Sequence, residues 1–222
     1  MPPLEITQHG ALENVHEEDK DEPSPKPSLF LALPTELRLE IFKHLLVLPA
    51  DAPPPAQNTY FQGGLHPPTL LLLHPAILRT SRQLHAEALP LLYRQNIFLA
   101  HSTLLTALPQ LRRIFSPVLS ARLAGLIARF YVCVRLDAEP AYSRAQAADQ
   151  LSNKEEVVLD ARQSVWRGSG PDALRLFEDV RGVRRASVKG SIGGFEDYAK
   201  WLERTMMREP GSKVEPFSWN VD

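Results

Sequence analysis

Apolar residues recur along the first part of the chain with helical spacing. Leu37, Ile41, Leu45 and Leu48 follow one another at i, i+4, i+8 and i+11, and Leu33, Phe42 and Leu46 widen that stripe. Pro34 fixes φ where no helical N–H is needed, and Glu36 falls in the first turn, where the helix dipole favours an anion. The pattern predicts a helix over 33–46. A helix this short is marginal in isolation, so its broad apolar face must pack on the rest of the chain, on a partner, or on both. A second helix is predicted from Pro75 to Ala88, with Ile77, Ser81, Leu84, Ala88 and Leu91 on one side. Pro90 is expected to kink or restart it, because it removes one i→i−4 bond and its ring clashes with the preceding turn.

Further on, period-two segments enter. Ile97–Leu99 predicts a short strand, and Thr103–Phe115 reads as helical despite Pro109. Ile127–Leu136 is the clearest strand: Phe130, Val132, Val134 and Leu136 alternate with Arg129, Tyr131, Cys133 and Arg135. It is expected to be central, with Phe130, Val132 and Val134 towards the core and Arg129 on the opposite face. Residues 137–169 give an ambiguous pattern, partly helical. Ser169–Val180 reads as a capped helix, with Ser169 as N-cap, Pro171 in the first turn and Asp172 three residues after the cap. Val183–Lys189 is a strand, and Phe195–Met207 a strongly amphipathic helix through Phe195, Tyr198, Leu202 and Met206. This alternation favours βα units and a parallel sheet. The strand starts are unevenly spaced, which leaves a fixed-period solenoid unsupported. The fold class is therefore α+β or α/β, its second half an irregular, degenerate leucine-rich-repeat-like layer.

Two blocks carry a family resemblance. The first is Leu33-Pro34 with Glu36-Leu37, then Ile41-Phe42 and Leu45-Leu46. The second runs from Leu78-Arg79 and Arg82-Gln83 through Glu87-Ala88 and Pro90-Leu91-Leu92-Tyr93 to Asn96 and Phe98. In this order they resemble the F-box-like domain of filamentous-fungal proteins, over residues 29–100. The resemblance implies N-terminal F-box-like helices and the role of a substrate-recruiting subunit in an SCF-type ubiquitin ligase. It implies that Leu33, Pro34, Leu37, Ile41 and Leu45 meet a Skp-type adaptor, and through it a cullin, as a helix in a groove. The βα half would then hold the protein target. The same pattern is compatible with a first helix packed only beneath the Pro75–Tyr93 region, in an intracellular structural or interaction domain with no ligase role.

Composition divides the chain further. Of its 222 residues 44% are hydrophobic, enough for a core, and the net charge is −1. Residues 1–27 carry seven acids against Lys20 and Lys26, a net −5 that leaves +4 for the remainder. Neither value argues for nucleic acid. The tail is expected to be disordered, being acidic, proline-bearing and poor in large apolar groups. Residues 49–68 are a second loose segment, since Pro49, Pro53, Pro54, Pro55, Pro67 and Pro68 with Gly63 and Gly64 deny it helix or sheet. The organisation is a tail over 1–27, an F-box-like region over 28–100 with the loop 49–68, a βα region over 101–209, and a C-terminal tail over 210–222. A single cysteine, Cys133, excludes an internal disulfide and fits a reducing compartment. The N-terminus lacks secretory-signal character, and the apolar run Leu70–Leu73 is far too short to span a bilayer. An intracellular protein, cytoplasmic or nuclear, is expected, with no membrane partner.

Catalytic and cofactor patterns are sparse. The histidines (His9, His16, His44, His66, His74, His85 and His101) do not converge with Cys133 in a metal-ligand spacing, so neither metal nor cofactor is expected. Lys189-Gly190-Ser191-Ile192-Gly193-Gly194 follows a strand and opens a helix, the context of a phosphate cradle. Its spacing matches neither a dinucleotide fingerprint nor a Walker loop, and a tight βα turn needs the same glycines. A small phosphate-ligand enzyme is thus the alternative to a non-enzymatic interaction module. Arg112, Arg113, Arg122, Arg129 and Arg135, and then Arg181, Arg184, Arg185 and Lys189, form two basic intervals. They suit a sheet face that binds an acidic peptide or nucleic acid, or plain solvated surfaces. Only Tyr131 is placed for base stacking.

Overall fold

A computed structural model describes residues 28–56, 73–163 and 170–219. The acidic segment 1–27, the loop beyond Ala56 and the predicted cap Ser169 lie outside the described residues. The chain divides into two units, 1–34 and 35–222. In the first, the N–H groups of Leu31 and Leu33 donate to the carbonyls of Ser28 and Phe30 at 3.0 and 3.3 Å, forming a turn.

The second unit opens with α1, Thr35–Leu46, close to the predicted span. A 3-10 helix, Pro75–Arg79, leads to α2, Arg82–Gln95. The helical break falls at Ser81 and not at Pro90. Ser81 is extended, and its hydroxyl accepts from the Leu84 N–H at 3.1 Å, which starts a new helix. Pro90 is carried inside α2, so the helix is not restarted there.

Among the described residues five strands follow: β1 Phe98–His101, β2 Leu105–Gln110, β3 Arg129–Arg135, β4 Glu156–Arg162 and β5 Arg185–Gly190. They form one mixed sheet in the order β2-β1-β3-β4-β5. β1, β3, β4 and β5 run parallel in chain order, and β2 returns antiparallel on the outer edge of β1. The expected helix over Thr103–Phe115 is therefore a strand. Leu105 and Leu108 adopt φ of 49° and 54°, which a right-handed helix does not contain. Pro109, without an N–H, is tolerated because β2 lies at the sheet edge.

The ambiguous interval 137–169 holds α4, Arg144–Leu151, and β4. α4 begins with a reciprocal capping box between Ser143 and Gln146. β4 escaped the alternation test because Val157, Val158 and Leu159 are all buried, on both faces. The predicted Ser169–Val180 helix is reduced to a 3-10 helix, Asp172–Phe177, led by Pro171 without a side-chain cap. α5, Glu196–Met206, closes the series, and a short α3 spans Ala121–Ala124.

The connecting helices share one face of the sheet. Leu151 of α4, Leu174 and Phe177 of the 3-10 helix, and Tyr198, Leu202 and Met206 of α5 pack with Phe130, Val132, Val134, Val157, Leu159 and Val188. β3 is central, with the predicted residues inward. The opposite face is not simply solvated: Ala56, Leu99, Tyr131 and Val158 form a smaller buried cluster there. The segment carrying Ala56 lies across it, and Pro55 accepts a bond from the Arg113 N–H at 3.4 Å. Among the described residues no helix is long and apolar enough to cross a membrane.

Candidate functional site

Helix α1 presents two distinct faces. Arg38, Phe42 and Leu46, at i, i+4 and i+8, are its buried residues. Leu37 is 52% exposed and Ile41 37% exposed. Leu45 is half-buried; in the preceding unit Leu33 is half-buried and Pro34 exposed. The inward stripe thus lies one position later than Leu37-Ile41-Leu45. Phe42 offers more apolar area than Ile41, and Arg38 finds a partner. Its Nε and Nη2 donate to the two carboxylate oxygens of Glu87 on α2, at 2.8 and 2.6 Å. This is a bidentate pair, with Arg38 almost wholly enclosed. Gln83 also donates to Glu87, at 3.0 Å. The Arg38 guanidinium, with help from Gln83, holds the Glu87 carboxyl below its usual range.

Asn96 locks the other end of the helix pair. Its buried amide donates to the carbonyls of Leu46 and Leu92 at 2.7 and 2.9 Å, and its oxygen accepts from the Leu48 N–H at 2.8 Å. One side chain therefore satisfies groups at the C-terminal ends of both α1 and α2. Glu87 and Asn96 belong to the second sequence block, where pattern alone assigned them no role. Arg38 carries no such signal either, because a charged residue on a short helix reads as surface.

The second feature is a groove of about 660 Å³ on the sheet face opposite the helices. Its walls are the Val47–Pro55 segment, the end of α2, the leading halves of β3 and β4, and Arg185 and Lys189 of β5. Five cations (Arg94, Arg112, Arg129, Arg185 and Lys189) and two carboxylates (Glu155 and Glu156) line it. The parallel register puts Arg129, Glu156 and Arg185 side by side, with Glu156 accepting from Arg129 at 2.6 Å and from Arg185 at 3.2 Å. Arg129 also donates to the Gln95 carbonyl. It is therefore half-buried and bonded, on the face opposite the core as expected but not freely solvated. Further along the same face, Asp160 accepts from the Tyr131 hydroxyl at 2.8 Å and from Arg162 at 2.7 Å. Burial and the neighbouring Asp160 push the Tyr131 hydroxyl well above its ordinary pKa. Lys189 stands over the Tyr131 ring, Nζ 4.8 Å from its centroid. The two basic intervals thus meet here only in part: Arg112, Arg129, Arg185 and Lys189 line the groove, whereas Arg122 and Arg181 do not.

The Gly190–Gly194 turn uses its amides internally. Ser191 donates to Ala161, Ile192 to Gly190 and Phe195 to Ile192, while Gly194 donates to the Glu196 carboxylate at 3.1 Å. Glu196 thus occupies the place an anion would take. Gly190 has φ +96°, and a Cβ there would come within 2.2 Å of the Ala161 carbonyl oxygen, so strand packing accounts for the glycine. Cys133 lies half-buried in β3, and burial pushes its thiol up. Among the described residues no cluster of three or more His, Cys, Asp or Glu side chains is arranged to hold a metal ion. Comparison with protein-family models, with curated proteins and with solved structures finds no match.

Proposed function

We propose that this chain is a non-enzymatic protein-interaction module of F-box-like character, in which α1 docks on a Skp-type adaptor and the βα half holds a protein target. The observation that carries the reading is the division of labour on α1. Arg38, Phe42 and Leu46 are spent on the fold, and Leu37 and Ile41 remain at the surface. Exposed large aliphatic residues on a helix already anchored by its other face suit a helix-in-groove contact. The resemblance adds Leu33, Pro34 and Leu45 to that contact, and a cullin behind the adaptor. The four parallel strands in chain order, with their helices on one face, support the reading of the second half as a degenerate leucine-rich-repeat-like layer.

A second reading, an interaction domain without a ligase role, is favoured by the Arg38–Glu87 and Asn96 bonds. These give α1 a structural reason to exist without an adaptor. Co-purification with a purified Skp-type adaptor separates the two. The adaptor reading expects binding at micromolar concentration, abolished by Leu37→Asp with Ile41→Asp while thermal unfolding is unchanged. Wild-type protein that fails to retain the adaptor leaves only the second reading.

A further inference from the structure

The groove on the open sheet face contains a cation that the fold itself does not neutralise. Arg112 is 5% exposed. Its Nη1 donates to the carbonyls of Leu111 and Ile97, at 2.8 and 3.5 Å. Its Nε is a buried side-chain nitrogen with no acceptor among the described residues. Among the described residues no carboxylate offsets the desolvation, which brings the guanidinium down to about 10. A buried, unpaired guanidinium is costly in a folded chain, and this one lines an open groove. Lys189 makes no ion pair among the described residues and faces the same groove, above Tyr131. Arg94, exposed, also lines the groove.

We infer that the groove binds an extended acidic peptide segment, whose Asp or Glu carboxylates neutralise Arg112, Lys189 and Arg94. This deepens the target-holding role proposed above, and rests on it only for the biological identity of the ligand. The register sets Glu156 between Arg129 and Arg185 and Lys189 four residues beyond Arg185 along β5, which suits carboxylates distributed along a chain better than one compact dianion. Val47–Pro55 supplies an apolar wall for the segment's aliphatic parts. Single-stranded nucleic acid is disfavoured because Tyr131, the aromatic ring of this wall, is buried beneath Lys189 and offers no stacking face.

The test is fluorescence anisotropy of the full chain with a labelled oligo-glutamate peptide, its oligo-glutamine counterpart, a phosphoserine peptide and single-stranded RNA. The expected result is micromolar binding of oligo-glutamate that weakens with added salt, with no binding of oligo-glutamine. Arg94→Gln with Lys189→Gln, both exposed, should weaken it at least about tenfold without lowering the melting temperature. Arg112→Gln should weaken it too, and its circular dichroism shows whether the fold is kept. Leu37→Asp with Ile41→Asp should leave peptide binding intact, so loss of adaptor binding and loss of target binding are read separately. Absence of oligo-glutamate binding, equal affinity for oligo-glutamine, tighter binding of the phosphopeptide or RNA, or indifference to the Arg94/Lys189 double substitution would each overturn the inference.

Discussion

Truncating Phe42 should destabilise the protein, whereas truncating Leu37, five residues earlier on the same helix, should not. Phe42 is fully buried between α1 and its neighbours. A phenylalanine buries about 150–250 Å², which at about 25 cal/mol/Å² corresponds to roughly 4–6 kcal/mol. An extended-chain reference overstates that burial, so Phe42→Ala is expected to cost about 3–5 kcal/mol, the range typical of such deletions. For a domain of this size each kcal/mol lowers the melting temperature by about 2–4 °C, giving a fall of roughly 6–20 °C. Leu37→Ala removes a side chain already half in water and should change stability by less than about 0.5 kcal/mol. Urea unfolding followed by far-ultraviolet circular dichroism, which reports α1 as well as the sheet, measures both, and the denaturant slope should stay unchanged. Equal losses at the two positions would mean that Leu37 also packs inward. The division of α1 into a structural and a free face would then be wrong, and the adaptor contact with it.

Two further outcomes follow from local geometry. Gly190→Ala should cost about 2–3 kcal/mol, because the positive φ and the Ala161 carbonyl both resist a Cβ; Gly193→Ala, with open space around it, should be near neutral in the same denaturation assay. Glu87 has a depressed folded pKa, so its pairing with Arg38 stabilises fully above the ordinary glutamate range and is lost as pH falls through the folded value. The stability advantage of wild type over Glu87→Gln should therefore shrink as pH falls below the ordinary glutamate range, and a difference that stays constant on acidification would contradict the paired geometry.

The sequence by itself determined those elements whose apolar periodicity is unambiguous. α1 and α5 are legible because each buries one face, and β3 because its apolar residues alternate with Arg129 and Arg135, so each writes its period into the chain. β4 was not legible, since a strand covered on both faces shows a continuous apolar run in place of alternation. β2 was not legible because Leu105 and Leu108 take left-handed backbone angles that composition does not announce. For the candidate sites the division runs the same way. The α1 residues were visible as an apolar stripe, but which of them turn inward depended on Glu87, 49 positions away from Arg38. The basic intervals were visible as charge. Only the parallel register of β3, β4 and β5 put Arg129 and Arg185 on either side of Glu156 and Lys189 over Tyr131, and only tertiary burial left Arg112 without a counter-charge among the described residues. A linear pattern records what each residue prefers locally; which charges meet, and which stay unpaired, is decided by segments distant in sequence that share one sheet face.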